Sequence, residues 1–121
     1  MNRRQFLVSS SFGLAGASLS PPPAWAQQPA APVTAFNELR RGVGYFTGQG
    51  GTIGYVVTGD GAIAVDSQFP ATAGSCVEGL KQKAPKGIEL LINTHHHGDH
   101  TGGNTLFKPV VKHIVCQEKC L

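Results

Sequence analysis

One short segment constrains this chain more than any other: residues 93–103, Asn-Thr-His-His-His-Gly-Asp-His-Thr-Gly-Gly, hold four of its 5 histidines. The segment comes directly after the apolar run Ile88–Ile92, which is typical of a buried strand. Gly98 permits a sharp bend after the third histidine of the segment. Because the end of a strand that opens onto a loop is a common place for chemistry, we expect the functional residues of this chain here.

The residue types in this segment predict a metal site. Imidazole nitrogens and carboxylate oxygens are ligands that zinc prefers, and a catalytic zinc keeps an open position for water. On an extended segment, His95 and His97 are predicted to share one side while His96 faces elsewhere. Beyond the bend, Asp99 and His100 are predicted to face a neighbouring centre. The alternative is a histidine-rich surface loop or an expression tag, but a tag lies at a terminus and carries no Asp and glycines after a buried strand.

The remaining segments predict a mixed α+β fold. An Asp-Gly turn between β-branched segments is typical of a hairpin, and a Pro-Lys-Gly sequence ends a helix. Because a sheet buries one face, at least one helix is expected to pack against it. The predicted elements are a leading segment at 36–41, a hairpin of 52–58 and 62–65, a helix at 71–83, a strand at 88–92, a helical turn within 102–107 and a strand at 112–115.

The first 26 residues predict a cleaved export signal. Arg3 and Arg4 stand before Phe6-Leu7, which is similar to the twin-arginine pattern, and Ala24-Trp25-Ala26 has the form of a cleavage site after a mildly apolar stretch. A membrane anchor is the alternative, but the stretch is too short and too rich in Gly and Ser to span a bilayer comfortably. We therefore expect a periplasmic or secreted bacterial protein, with no stable membrane anchor after cleavage.

Charge and composition limit the partners of the mature chain. The formal net charge of +3 includes the arginine pair of the leader, so the rest is nearly neutral and holds no basic patch for nucleic acid. Residues 27–35, rich in Pro and Ala, predict a linker, and residues 36–121 predict one folded domain. The expected partner is a small-molecule substrate, and the sequence leaves the oligomeric state open.

The three cysteines form an odd set. Cys76, Cys116 and Cys120 leave at least one thiol unpaired within an exported chain. With His113, the last two form a His-x-x-Cys-x-x-x-Cys run that would suit a metal. The favoured interpretation is ordinary cysteines near a strand end, since free cysteine commonly behaves as a small hydrophobe.

The histidine segment resembles the metallo-β-lactamase superfamily, whose signature H-x-H-x-D-H here reads His95-x-His97-x-Asp99-His100, followed by Thr-Gly-Gly. The hairpin that ends at Val65-Asp66 is similar to an early strand pair of that family, and the resemblance extends over residues 43–117. It implies a dinuclear zinc hydrolase of αββα architecture. Of this four-layer sandwich, the chain would be the N-terminal half.

The resemblance also implies a role for each residue of the signature. His95 and His97 would bind the first metal, and Asp99 and His100 the second. Asp99 would also be catalytic, orienting the attacking water or accepting its proton. Asp66 would anchor the ligand loop by hydrogen bonds. Because metal-bound water ionises near pH ~7, such a site would cleave an ester, an amide such as a β-lactam, a lactone or a thioester.

The sequence departs from the family in its length. Members are longer and supply further His and Asp or Cys ligands from a second half, and nothing around His113 matches those later motifs. Each ion would keep two protein ligands in this chain, so the chain is predicted to be truncated and inactive alone. Two alternatives stay open. One is a non-catalytic exported metal-binding fragment, and the other an iron-dependent relative similar to a persulfide dioxygenase, because ligand type does not separate zinc from iron.

Overall fold

A six-stranded sheet, in which the strands lie side by side in chain order, organises the computed structural model. The model describes residue 23 and residues 28–120, so the predicted signal peptide lies outside the described residues except for Pro23. Residues 28–34 form no helix or strand. The strands are β1 (Ala35–Arg40), β2 (Val43–Thr47), β3 (Ile53–Thr58), β4 (Gly61–Val65), β5 (Ile88–Asn93) and β6 (Val111–Cys116).

The first four strands form an antiparallel meander because short turns join them. Arg41 and Gly42, with φ of 51° and 77°, form a two-residue turn between β1 and β2, and positive φ at both positions suits the twist of a hairpin. Gly59 and Asp60 join β3 to β4, which confirms the predicted hairpin. Strand β2 was absent from the sequence prediction, although its aromatic and β-branched residues are typical of strands.

A long helix, α1 (Pro70–Lys83), connects β4 to β5 and makes these two strands parallel. It begins one residue before the predicted segment, because Pro70 at the first turn has a φ suited to a helix and needs no hydrogen-bond partner. Lys81 and Lys83 lie in the last turn, where positive charge is favourable. Strand β6 then pairs parallel with β5, so β4, β5 and β6 end at the same edge of the sheet.

The apolar core lies between one face of the sheet and α1. On the opposite face, apolar side chains such as Ile63, Leu90 and Ile92 are only half-buried. The apolar core between the sheet and α1 therefore holds the strand ends in place from the α1 side of the sheet. Its members are Phe46, Ile53, Tyr55, Ala62, Ala64, Ala73, Cys76, Val77, Leu80, Ala84, Ile88, Leu91 and Phe107.

Short helices follow β5. They are α2 (Gly98–Thr101), α3 (Asn104–Phe107) and a 3-10 helix (Glu118–Cys120). The predicted extended course of residues 95–97 is wrong, because residues 94–96 are bent. The backbone N–H groups of His100 and Thr101 donate to the carbonyl of His97 at 2.9 and 3.0 Å and close a helical turn at once. Within the described part of the chain, no helix is long and apolar enough to cross a membrane.

Candidate metal centre

The candidate site lies where β4 and β5 end together. Val65 is paired with Ile92 in the parallel ladder, so the residues that follow these two strands meet at one edge of the sheet. Asp66 follows β4, and the segment Thr94–Thr101 follows β5. We call this segment the ligand loop, because it carries all four of the residues predicted to bind metal. The fold thus brings Asp66 to the base of the ligand loop.

Asp66 is the anchor of the ligand loop. Its side chain is buried, and its Oδ1 accepts the backbone N–H of Thr94 at 2.8 Å. Its Oδ2 lies 2.8 Å from the Thr94 hydroxyl and 2.8 Å from Nδ1 of His100. The predicted anchoring role of Asp66 is therefore confirmed. The residue has a φ of 66°, a left-handed conformation that Asp tolerates better than most residues and that often marks a functional site.

The contact with Asp66 decides which nitrogen of His100 is available to a ligand. Asp66 is a carboxylate and accepts hydrogen bonds, so Nδ1 of His100 carries the proton and the lone pair of a neutral ring lies on Nε2. Nε2 of His100 is 3.5 Å from Oδ2 of Asp99. Two tetrahedral zinc ligands, each about 2.1 Å from the ion, would be about 3.4 Å apart. The spacing of Asp99 and His100 therefore suits a shared zinc ion.

A second set of contacts holds the backbone of His100. Its carbonyl accepts the N–H of Ser67 at 2.8 Å, and the Asn93 amide lies 3.4 Å away. The Asn93 and Asn104 amides pair with each other at 2.7 and 3.1 Å, and the Ser67 hydroxyl is 2.8 Å from Oδ1 of Asn104. Sequence reasoning missed Ser67, Asn93 and Asn104 as site residues. Ser67 and Asn93 stand next to Asp66 and the ligand loop in the sequence, and Asn104 follows the loop by three residues; these positions were the only signal.

The loop between β2 and β3 leaves space beside His100. The N–H of Gly51 donates to the carbonyl of Asp99 at 3.1 Å, which brings the two loops together. A Cβ atom on Gly51 would lie 2.9 Å from Cε1 and 3.1 Å from Nε2 of the His100 ring. A side chain at position 51 would therefore fill the space in front of the free nitrogen of His100. Glycine at this position keeps that nitrogen accessible to a ligand.

The histidines at the start of the ligand loop are held differently. The ring centroid of His95 lies 4.7 Å from that of His97 and 4.1 Å from that of His100. His97 and His96 are exposed, with ring centroids 4.9 Å apart. The ring of His95 therefore lies close to the rings of both His97 and His100. His96 lies at the surface beside His97.

The donor set can be compared directly with what zinc requires. Among the described residues, no three His, Cys, Asp or Glu side chains converge closely enough to hold a metal ion. The side chains present fit zinc in chemical type and, for Asp99 and His100, in spacing. They fall short in number, because a catalytic zinc takes about three protein ligands. The described residues therefore provide two pairs of candidate ligands, His95 with His97 and Asp99 with His100.

The three cysteines differ in position: Cys76 lies in the core, whereas Cys116 is paired with Asn93 across β5 and β6. Cys76 is buried in the core, where desolvation raises the pKa of its thiol to about 12, so the thiol stays protonated at neutral pH. A protonated thiol is a poor metal ligand. Cys116, at the end of β6, and Cys120 are half-buried and carry free thiols. His113, the histidine of the His-x-x-Cys-x-x-x-Cys run, is exposed.

Comparison with known proteins gives consistent results. A family model described as the Metallo-beta-lactamase superfamily matches residues 46–116. A hydroxyacylglutathione hydrolase from Methylococcus capsulatus is 39% identical over 54 residues, which are 45% of this chain and 21% of that protein.

Solved structures with this fold include a metallo-beta-lactamase from Hirschia baltica. It is 22% identical, with a TM-score of 0.61, over 72% of this chain and 44% of that one. A metallo-beta-lactamase from Erythrobacter litoralis, which has beta mercaptoethanol in its active site, is 26% identical, with a TM-score of 0.54, over 63% of this chain and 38% of that one. The chain thus spans less than half the length of these relatives.

Proposed function

The chain belongs to the metallo-beta-lactamase superfamily, and from this membership we propose that it is part of a zinc-dependent hydrolase that cleaves an ester, amide, lactone or thioester bond. One observation carries the proposal. Oδ2 of Asp99 and Nε2 of His100 are 3.5 Å apart, and Asp66 holds the other nitrogen of His100 at 2.8 Å. A carboxylate behind a histidine is the usual support of a metal-binding imidazole.

The ligand pairs assign the roles within this proposal. His95 and His97 would hold one zinc ion, and Asp99 and His100 a second. When bound, zinc supplies Lewis acidity, which lowers the pKa of water towards ~7 and polarises a carbonyl oxygen. Asp99 is the residue placed to hold a proton, because its side chain is 43% exposed and reaches solvent beside His100. Asp66 keeps the His100 ring in one orientation while that proton moves.

The similar proteins indicate which substrate class should be tested first. The Methylococcus capsulatus protein acts on hydroxyacylglutathione by name, and it shares 39% identity with 45% of this chain. We therefore place an acyl thioester first among the substrates to test, with lactones and β-lactams after it. Because the chain spans less than half the length of its relatives, the activity is proposed for the whole protein.

We also propose that the protein is exported. Arg3, Arg4 and the Ala24-Trp25-Ala26 sequence support a twin-arginine signal with cleavage after residue 26. Export of a folded protein through that route would allow the metal to be inserted before export. Sequencing the N-terminus of the protein recovered from the periplasm would test this proposal, and an intact Met1 on the exported protein would contradict it.

Metal content and hydrolysis, measured on the same preparation, test the main proposal. In the whole protein we expect two zinc ions by elemental analysis and turnover of an acyl thioester, and we expect the Asp99→Asn and His100→Ala variants to lose turnover and one of the two ions. The control is His96→Ala, because His96 is exposed and lies outside the ligand pairs. Zinc without turnover of any of the four bond types would favour the non-catalytic alternative. Iron as the metal would favour the persulfide-dioxygenase-like alternative, and the absence of bound metal would overturn the proposal.

A further inference from the structure

The hydroxyl of Thr94 lies between Asp66 and the first histidine of the ligand loop. It is 2.8 Å from Oδ2 and 3.0 Å from Oδ1 of Asp66, and 2.9 Å from Nδ1 of His95. A threonine hydroxyl has one proton to donate and two lone pairs that accept. The group that accepts the hydroxyl proton of Thr94 therefore decides the direction of the hydrogen bonds between Thr94, Asp66 and His95.

The chemistry of the two neighbours gives one answer. The ionised carboxylate of Asp66 can only accept, so the proton of the Thr94 hydroxyl is donated to it. The oxygen of Thr94 is then free to accept, and Nδ1 of His95 must be its donor. A neutral His95 ring with its proton on Nδ1 carries its lone pair on Nε2. The hydrogen bonds are therefore donated from His95 to Thr94 and from Thr94 to Asp66, and we call these three groups the relay.

We propose that Thr94 is a positioning residue through which the buried carboxylate of Asp66 sets the tautomer of His95, as Asp66 sets that of His100 by direct contact. One carboxylate then prepares two histidines that the proposed function assigns to different zinc ions. The two rings it prepares are adjacent, with centroids 4.1 Å apart. This inference deepens the proposed function and rests on it only for the role of zinc.

The tautomers are measured directly in the metal-free protein. Long-range proton–nitrogen correlation spectra of the imidazole side chains separate the ring with Nδ1–H from the ring with Nε2–H. We expect His95 and His100 to show the Nδ1–H form, and the exposed His96 to show the mixture usual for a solvated ring. An Nε2–H form of His95 in the unmodified protein would overturn the proposal without any variant.

Two substitutions separate the hydroxyl from the shape of the side chain. Thr94→Val keeps the branched shape and removes the hydroxyl, whereas Thr94→Ser keeps the hydroxyl. In Thr94→Val we expect His95 to lose the Nδ1–H form while His100 keeps it. In Thr94→Ser both rings should keep it. If Thr94→Val leaves the His95 tautomer unchanged while the backbone amide spectrum shows a folded protein, the relay does not exist.

Zinc affinity links the relay to the site. Loss of a partner behind a metal-binding histidine weakens metal binding about 10-fold to 100-fold, so Thr94→Val should raise the zinc dissociation constant by that factor in competition with a chromophoric chelator. Thr94→Ser should restore the affinity. Unmodified protein that shows the expected tautomers but binds no zinc would contradict the proposed function and leave the relay intact. Zinc binding with equal affinity in Val and Ser variants would contradict the relay's role in the site.

Discussion

The two halves of the ligand loop differ in how firmly the protein holds their side chains. In the second half, Asp66 contacts the ring of His100, Ser67 donates to its backbone carbonyl, and Gly51 donates to the backbone carbonyl of Asp99. In the first half, His97 is exposed and its ring faces other histidine rings. The fold therefore orients the His100 ring of the Asp99–His100 pair before a ligand arrives. The His95–His97 pair is prepared only at His95.

Removal of Asp66 should have the largest effect, because it disturbs both halves. Asp66→Ala leaves the Thr94 hydroxyl, the Thr94 N–H and Nδ1 of His100 without their acceptor. A hydrogen bond to a charged group contributes about 1.5–3 kcal/mol, and the exposed Thr94 can turn to water, so we expect the free energy of unfolding to fall by roughly 3 kcal/mol in urea denaturation. Zinc binding should be lost at both pairs. Asp66→Asn keeps the volume and serves as the control, with a smaller loss of stability.

Substitution of one histidine in each half of the ligand loop tests whether the protein holds the two halves differently. His100→Ala removes a charge-assisted hydrogen bond to a buried carboxylate, so the free energy of unfolding should fall by about 2 kcal/mol. His97→Ala removes an exposed ring and should change it by less than about 0.5 kcal/mol. Both variants should lose zinc affinity. Equal losses of stability in the two variants would show that the halves are held alike.

A side chain at position 51 should affect only the second half. In Gly51→Ala the added Cβ meets the anchored ring of His100, so we expect a loss of about 1–2 kcal/mol in stability and at least a tenfold weaker zinc affinity. The matched control is Gly59→Ala, where a Cβ would meet nothing within 4 Å. Calorimetric titration with zinc measures the difference. Unchanged affinity in Gly51→Ala would mean that Nε2 of His100 is not the atom that binds.

A smaller effect than at Asp66 is expected at the amide pair behind the second half. Asn104→Ala removes three neutral hydrogen bonds to Asn93 and Ser67, each of which contributes about 1 kcal/mol. Both donors also reach the carbonyl of His100, so the unfolding free energy should fall by about 1–2 kcal/mol. Hydrogen exchange at the backbone amides of residues 98–101 should become faster, because the support of the helical turn is weakened. Thr105→Ala, an exposed neighbour on the same short helix, is the control and should leave exchange unchanged.

Most of the fold was predictable from the sequence. The hairpin around Gly59 and Asp60, the helix after Pro70 and the strand before the ligand loop each carry local signals, namely turn residues and apolar spacing. Strand β2 was missed because it is stabilised by its partner residues in β1 and β3, which lie outside its own sequence. The bend at residues 94–96 was missed because the hydrogen bonds of His97 to the following turn are not visible in a list of ligand types.

The residues of the candidate site likewise divide into those that could be predicted from the sequence and those that could not. The family signature follows from residue types and their order, and the resemblance to that family implied the role of Asp66 as an anchor. The contributions of Thr94, Asn104 and Gly51 did not follow, because none of these residues is a ligand type. Their importance lies in which atoms they place beside histidine rings.

By itself, the sequence determined the chemistry available at this site: His95, His97, Asp99 and His100 occur within six residues, and side-chain type decides which metals they suit. Only the tertiary structure decided which nitrogen of His100 faces a carboxylate. Asp66 and His100 are 34 residues apart in the chain, and their 2.8 Å contact exists because β4 and β5 end at one edge of the sheet. A tautomer depends on the partner that is nearest in space, and that partner is placed by packing.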